Sequence, residues 1–446
     1  MQKLDHDTRK VQGRPPFECI ALLLQGGGAL GAYQAGVYQA LSEAKLHPDW
    51  VAGISIGAIN SALIAGNPPE TRVEKLRSFW ELVSEGPVWH RVPAVADMVG
   101  QPAREVVNHV IAMTAINMSF WSGRPTAAHA DELCVLCNGF LDNPFFASLS
   151  NPALFRPRGD VARGLTNQIS AGLALAQGAS GFFALRPAIP WLQPAGTLEA
   201  TSYYDTAGLK GTLERLIDFD RINAGEMRFS VGAVNVGTGN FVYFDNKSHT
   251  IGPEHVMASG ALPPGFPAIE IEGEHYWDGG LVSNTPLQWV LESEPRQDTL
   301  AFQVDLWNSR GTFPRTMAEV ATRQKEIQFS SRTRASSDHF RYVQKIRNTL
   351  SKLLERLPED LKAGPEFAVL EPVACRKVYN LAQLIYRSKQ YEGDSKDYEF
   401  SRASMEDHWR AGYHDTRRTL RHPEVLLRPK NREGIYIFDL AQEGRE

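Results

Sequence analysis

The chain begins with a polar stretch, MQKLDHDTRKVQGRPPFE, and only then turns apolar. Cys19 to Gln25 (CIALLLQ) is a short continuous apolar run that ends in glycines, the pattern of a strand buried on both faces. From Ala29 to Ala44 the positions Leu30, Tyr33, Val37, Tyr38 and Leu41 recur at helical spacing. His47-Pro48-Asp49 punctuates the chain, Trp50 to Ile54 predicts a second buried strand, and Ile56 to Ala65 predicts a second helix. The order β-α-β-α with short links is that of a parallel sheet covered by helices.

From about Glu85 to Asp205 this regularity dissolves into prolines, aromatics and small residues, as in NPFFASLSNPALFRP and GFFALRPAIPWL. The stretch reads as a large irregular insertion: part of the core, or a lid over an active site. Regular patterning returns with a helix at Leu209 to Phe219, strands at Met227 to Val236 and Asn240 to Phe244, and a strand at Thr299 to Leu306. Beyond Trp307 the composition shifts. Thr316 to Leu357 is long, polar and helical in pattern, with basic residues outnumbering acidic ones between Arg310 and Arg356. It reads as a solvated helix face, or as one drawn to an anionic membrane or a partner. KVYNLAQLIYR and GIYIFDL then predict short strands around a polar helix.

Composition narrows the class only modestly. A net charge of −4 gives no general attraction to nucleic acid. Four cysteines are too few for a disulfide framework in 446 residues. Cys134 and Cys137 form one C-x-x-C with no second pair to complete a zinc site, so packing thiols are expected rather than a metal or redox centre. The N-terminus lacks an apolar signal-peptide core. The longest weakly polar run, Val51 to Gly66, is too short and too polar to span a bilayer. A cytoplasmic protein is expected, in contact with membranes at most peripherally.

The chemistry gathers at the ends of the predicted strands. Gly26, Gly28 and Gly31 satisfy G-x-G-x-x-G, the pattern of a dinucleotide-binding turn. Such a site would end its second strand with an acid for the ribose hydroxyls. Here that strand ends instead in Gly53-Ile54-Ser55-Ile56-Gly57, a G-x-S-x-G between a strand and a helix. In that context the motif is a nucleophile elbow: the serine sits in a sharp turn, flanking glycines relieve crowding, and the next helix presents its N-terminus below the hydroxyl. If the two strands are neighbours, the glycine loop and Ser55 share one sheet edge. The anion that the outward-turned N–H groups would meet is then the oxyanion of an acyl-transfer intermediate.

The serine needs a base. His249, His255 and His275 stand within reach by sequence, and so does Asp278, which leads the open turn Asp278-Gly279-Gly280. A desolvated aspartate can take a serine proton directly. Against a Ser-His-Asp arrangement, His255 and His275 precede Asp278, the reverse of the order Ser…Asp…His in α/β-hydrolases.

GGGALG, GISIG and WDGGLVSNTP, in that order, resemble the three signatures of patatin-like phospholipases, as does ASGALPPGFPAIEIEGEHYWDGG leading up to the aspartate. The resemblance covers roughly Cys19 to Val83 and Leu209 to Leu306, and the stretch after Trp307 resembles the C-terminal extension of a bacterial subgroup. It implies a three-layer α/β/α fold with a mostly parallel sheet, and a Ser–Asp dyad of Ser55 as nucleophile and Asp278 as base. Gly26, Gly27 and Gly28, with the N–H of Ile56, would form the oxyanion hole. One position departs from the family pattern: Leu30 stands where the loop often carries Arg or Lys.

The expected organisation is a polar tail at 1–17, an acyl hydrolase domain at 18–307 with the insertion at about 85–205, and a C-terminal extension at 308–446. The expected activity is hydrolysis of phospholipid or related lipid esters through an acyl-serine, with no cofactor, no metal and no nucleic-acid partner. The sequence leaves the oligomeric state open. Two other readings are a Ser-His-Asp esterase acting on other esters, and a catalytically silent lipid- or protein-binding module on the same fold.

Overall fold

The computed structural model describes residues 13–85, 160–330, 333–389 and 391–440. Most of the expected insertion, and with it Cys134 and Cys137, lies outside the described residues. In the part that is described, Asp160–Gln177 is an 18-residue helix. Its own segment holds no proline, and the proline-rich stretches on either side masked its periodicity.

Among the described residues a nine-stranded sheet organises the molecule. Its strands are β1 (Cys19–Leu24), β2 (Trp50–Ile54), β3 (Arg228–Asn235), β4 (Phe241–Asp245), β5 (Ile269–Ile271), β6 (Glu274–Asp278), β7 (Thr299–Asp305), β8 (Tyr379–Ile385) and β9 (Ile435–Phe438). They run in the order β9-β8-β7-β1-β2-β3-β6-β5, with β4 pairing β3. The block from β9 to β3 is parallel throughout, whereas β4, β5 and β6 pair antiparallel. β1 is buried at every position, as its unbroken apolar run requires. Its residues alternate between two apolar clusters: Ile20, Leu22 and Leu24 belong to the larger, Cys19, Ala21 and Leu23 to the smaller. Helices cover both faces, which makes the three layers of an α/β/α fold.

The chain beyond Trp307 is built into this framework. β8 pairs with β7 along its whole length, from Tyr379 opposite Thr299 to Ile385 opposite Asp305. Helix α1 (Ala32–Glu43), which follows the glycine loop, crosses the late helix Arg402–Thr419 at backbone contact. A Cβ on Gly36 would fall 1.9 Å from the carbonyl oxygen of Trp409, and one on Gly412 would fall 2.0 Å from that of Tyr33. Glycines at this crossing bring two helix backbones closer than any side chain permits. The polar stretch after Thr316 is two helices, Met317–Phe329 and Thr333–Leu354.

Because β1, β2, β7 and β8 are parallel neighbours or near neighbours, the loops after all four emerge at one edge of the sheet. That is the carboxyl edge, where sites of open α/β sheets form. Gly26, Ser55, Trp307 and Tyr386 each follow one of these strands.

Candidate active site

Ser55 is the residue between β2 and helix α2 (Ile56–Ala65), and its backbone is held at φ 55°, ψ −124°. This left-handed conformation is strained for a side chain bearing a Cβ, and it is the geometry of a nucleophile elbow. The two glycines of the motif are there for want of room. A Cβ on Gly53 would lie 2.2 Å from the carbonyl oxygen of Gly57, and one on Gly57 would lie 2.2 Å from that of Leu24. The elbow is held in place by Ser259, which is fully buried. The Ser55 N–H is shared between the Ser259 carbonyl at 3.1 Å and its Oγ at 3.0 Å, while the Ser259 hydroxyl donates to the Gly232 carbonyl at 2.6 Å.

Strand register brings Asp278 to the serine. On β3, Gly232 pairs with Ile54, the last residue of β2, and the next residue, Ala233, pairs with Asp278. The end of β6 therefore abuts the end of β2, and a Cβ on Gly279 would sit 2.6 Å from the Gly232 carbonyl oxygen and 3.1 Å from Ile54. The buried Asp278 carboxyl lies within reach of the Ser55 hydroxyl, which opposes the rise in its pKa, and accepts the Gly280 N–H at 2.7 Å. Burial pushes its pKa up to about 7, against the opposing pull of these two groups. A carboxylate poised near neutrality is matched to moving a proton.

The glycine loop forms the facing wall. A Cβ on Gly26 would stand 3.0 Å from the Cβ of Ser55. Gly28 has φ +55° and passes so close to the chain at Asp397 that a Cβ there would meet the Asp397 carbonyl oxygen at 2.0 Å. Gly31 is also closely packed, with the Ile56 side chain of the elbow helix 2.6 Å from where its Cβ would be. The loop's donors divide into two groups. Gly26 N–H faces the Asn284 carbonyl at 3.4 Å and Ala29 N–H donates to the Asp397 carbonyl at 2.8 Å. The N–H groups of Gly27, Gly28 and Ile56 have no protein acceptor among the described residues. Leu30 is fully buried in the apolar core, so its side chain carries neither charge nor polarity to the site.

Several residues that hold this arrangement have no role that the sequence assigns, although Asn284 lies within the signature WDGGLVSNTP. Asn284 donates from Nδ2 to the Gly26 carbonyl at 3.0 Å and to the Phe329 carbonyl at 2.9 Å. Its Oδ1 fills the space where a Cβ on Gly26 or Gly280 would go. Trp307 Nε1 also donates to the Gly26 carbonyl, at 3.0 Å. Gln25, fully buried, accepts the N–H groups of Leu306 and Trp307 on Oε1 at 2.7 and 3.1 Å. A chain of amides continues behind the loop: Gln34 Nε2 donates to the Gln25 carbonyl at 2.6 Å, and Asn60 Nδ2 donates to Gln34 Oε1 at 2.8 Å. Asn60 Oδ1 in turn receives Trp80 Nε1 at 3.0 Å. The hint of these residues in the sequence is polarity inside otherwise apolar runs, as at Gln25 and Asn60, and for Asn284 its place in the signature that holds Asp278.

Among the described residues no histidine is hydrogen-bonded to Ser55 or Asp278. His255 packs edge-on to Phe244, and its Nδ1 accepts the Gly252 N–H. His249 also packs on Phe244. His275 pairs with Glu270 on the antiparallel hairpin and is exposed. Among the described residues no cluster of His, Cys, Asp or Glu is arranged to hold a metal ion, and Cys19 and Cys375 are buried free thiols.

A serine on a strand–helix elbow, with a buried carboxyl near it and open backbone donors in the facing loop, is an arrangement suited to acyl transfer. The family model of the patatin-like phospholipases matches residues 22–290, and a second model, described as patatin phospholipase, matches residues 327–432. The chain belongs to the patatin-like phospholipase family, a family of lipid acyl hydrolases. A stretch of 77 residues is 42% identical to a triacylglycerol lipase, SDP1L, of Arabidopsis thaliana, covering 17% of this chain and 8% of that one. Another of 58 residues is 52% identical to the lysophospholipase nte1 of Aspergillus terreus, covering 13% of this chain and 4% of that one. The chain thus matches only a small part of the length of these curated relatives. Among solved structures, VipD of Legionella pneumophila aligns over 97% of this chain and 76% of its own, at 15% identity and a TM-score of 0.33.

Proposed function

We propose that this protein hydrolyses ester bonds of lipids through a dyad of Ser55 and Asp278. What supports the reading is a strained elbow serine within reach of a buried carboxyl at the end of β6, whose pKa is lifted to about 7. Ionised Asp278 takes the proton from the Ser55 hydroxyl as its oxygen attacks the ester carbonyl. The N–H groups of Gly27, Gly28 and Ile56 receive the negative charge that develops on the carbonyl oxygen, assisted by the N-terminus of α2. Gly26 anchors the loop instead of donating to the hole, since its N–H faces the Asn284 carbonyl and its carbonyl accepts from Asn284 and Trp307. Asp278 returns the proton to the leaving alcohol, an acyl-serine remains, and water activated by the same carboxylate releases the fatty acid. Among the described residues no histidine is hydrogen-bonded to Ser55 or Asp278, which favours this reading over a Ser-His-Asp triad.

The substrate is a lipid ester. The relatives are named for triacylglycerol and for lysophospholipid, so the proposal stays at the level they share. Among the described residues no helix is long and apolar enough to cross a membrane. Contact with lipid is therefore proposed to be peripheral.

The test is hydrolysis of a short p-nitrophenyl acyl ester and of a lipid panel by the wild type, Ser55→Ala and Asp278→Asn. Both folded variants are expected to lose activity on every substrate that the wild type cleaves. Activity surviving Ser55→Ala would remove the nucleophile and the mechanism with it.

A further inference from the structure

Among the described residues, the outer side of the glycine loop is closed from beyond the stretch that matches the first family model. It is closed by two pieces of chain beyond Trp307: helix Met317–Phe329 and the loop that contains Asp394 to Asp397. The Asp397 carbonyl accepts the Ala29 N–H at 2.8 Å and occupies the space a side chain at Gly28 would need. The Phe329 carbonyl, at the C-terminus of the helix, receives Asn284 Nδ2 at 2.9 Å and Gln25 Nε2 at 3.3 Å. Both carbonyls act on the loop, and both are fixed by ion pairs that tie the helix to the Asp397 loop. Lys325 Nζ bonds both carboxyl oxygens of Asp397, at 2.8 and 3.0 Å, and the Asp394 carbonyl at 2.9 Å. Lys325 also lies over the ring of Tyr398. One residue on, Glu326 accepts Lys396 Nζ at 2.8 Å, and that lysine is almost wholly buried, at 1% side-chain exposure, over the ring of Trp307.

We propose that Lys325 and Asp397 are positioning residues for the oxyanion loop, so that the segment after Trp307 completes the active site. The proposal rests on the Ser55–Asp278 reading above. What the pair supplies is preorganisation. A hole made of backbone N–H groups works only if those groups are already aimed when charge develops. A glycine loop has the least intrinsic stiffness of any backbone. The Lys325–Asp397 pair supplies the stiffness from outside, by pressing a carbonyl against Gly28 and tying down the N–H of Ala29. Freed of it, the N–H groups of Gly27 and Gly28 would be misaimed, although the substrate would still bind.

The experiment compares the full-length wild type with Lys325→Met, Lys325→Arg and Arg428→Met. Arg428 forms an ion pair with Asp298 at the opposite, amino edge of the sheet, within the same C-terminal segment, and serves as the control for lost stability alone. The readouts are kcat and KM on a p-nitrophenyl ester, the rate of covalent labelling by a fluorophosphonate, and Tm. Lys325→Met is expected to lower kcat and the labelling rate together by about 10- to 100-fold with KM little changed. Lys325→Arg is expected to restore part of that loss, and Arg428→Met to lower Tm without lowering kcat. Wild-type kcat and labelling in folded Lys325→Met would overturn the proposal while leaving the dyad intact. A fall in kcat matched by Arg428→Met at equal loss of Tm would overturn it as well. If the fluorophosphonate failed to label Ser55 of the wild type, the dyad reading would fall and take this proposal with it.

Discussion

Two walls of the same site are built in different ways. The wall that carries the nucleophile, from Cys19 to Ala65, is local. Its glycines, its serine and its two helices follow one another within one β-α-β-α unit, and each position is dictated by close backbone approach or a strained turn. The opposite wall, made by Trp307, Phe329 and Asp397, is assembled from chain far away in sequence, and it holds the first wall through carbonyls, amides and ion pairs. The first wall names the chemistry. The second wall fixes the precision with which that chemistry is aimed, and it can change in sequence as long as a carbonyl arrives at the right point.

This contrast can be broken most severely on the first wall. Ser55→Ala is expected to lower kcat/KM by at least about a thousandfold on any ester, read as the initial rate on a p-nitrophenyl ester with circular dichroism confirming the fold. Gly28→Ala tests the point where the two walls touch. Its Cβ has no room beside Asp397 and its φ of +55° disfavours a side chain, so the loop must shift. A loss of kcat of about a hundredfold or more is expected, with a drop in Tm of several degrees. Activity near wild type there would mean that the C-terminal carbonyl does not set the loop.

On the second wall the effects should be smaller. Asn284→Ala removes two hydrogen bonds to buried carbonyls, one from each wall. It is expected to cost about 2 kcal/mol or more of stability and about tenfold in kcat, measured by urea unfolding and steady-state kinetics. The smallest effect runs the other way. Asp278 has its folded pKa raised by burial to about 7, so its folded form favours the protonated carboxyl. The stability it contributes is fully present below its unfolded pKa and is lost as pH rises through about 7. Asp278→Asn, inactive, is therefore expected to melt a few degrees above the wild type at pH 8. At pH 4 the advantage should shrink. An equal difference at both pH values would show that the carboxyl is not desolvated.

How much of this was legible in the sequence follows the same division. The strand at Cys19 to Gln25, the elbow at Ser55 and the turn at Asp278 could be read because each imposes a local rule: an unbroken apolar run, glycines two residues either side, an acid before two glycines. Sequence placed the glycine loop and Ser55 at one edge if their strands were neighbours, and β1 and β2 are paired directly. What could not be read is the register on β3 that sets Asp278 beside Ser55, since pairing between strands far apart in sequence leaves no local trace. Nor could the work of Gln25, Asn60, Ser259 and Asn284 be read, because an amide or hydroxyl in an apolar run does not say which carbonyl it will meet. Leu30 drew notice as a missing charge. It is buried in the core, and the lysines Lys325 and Lys396, paired with Asp397 and Glu326, belong to the C-terminal segment.

The central claim is that the Ser55 hydroxyl is activated by Asp278 with no histidine between them. It is tested most directly by the rate at which a fluorophosphonate forms its adduct on Ser55, located by peptide mass spectrometry. The wild type and the variants Asp278→Asn, His249→Ala, His255→Ala and His275→Ala would be compared. The account predicts labelling of Ser55 that collapses in Asp278→Asn and persists in all three histidine variants. Labelling that persists in Asp278→Asn, or that collapses on loss of one histidine in a folded protein, would contradict it.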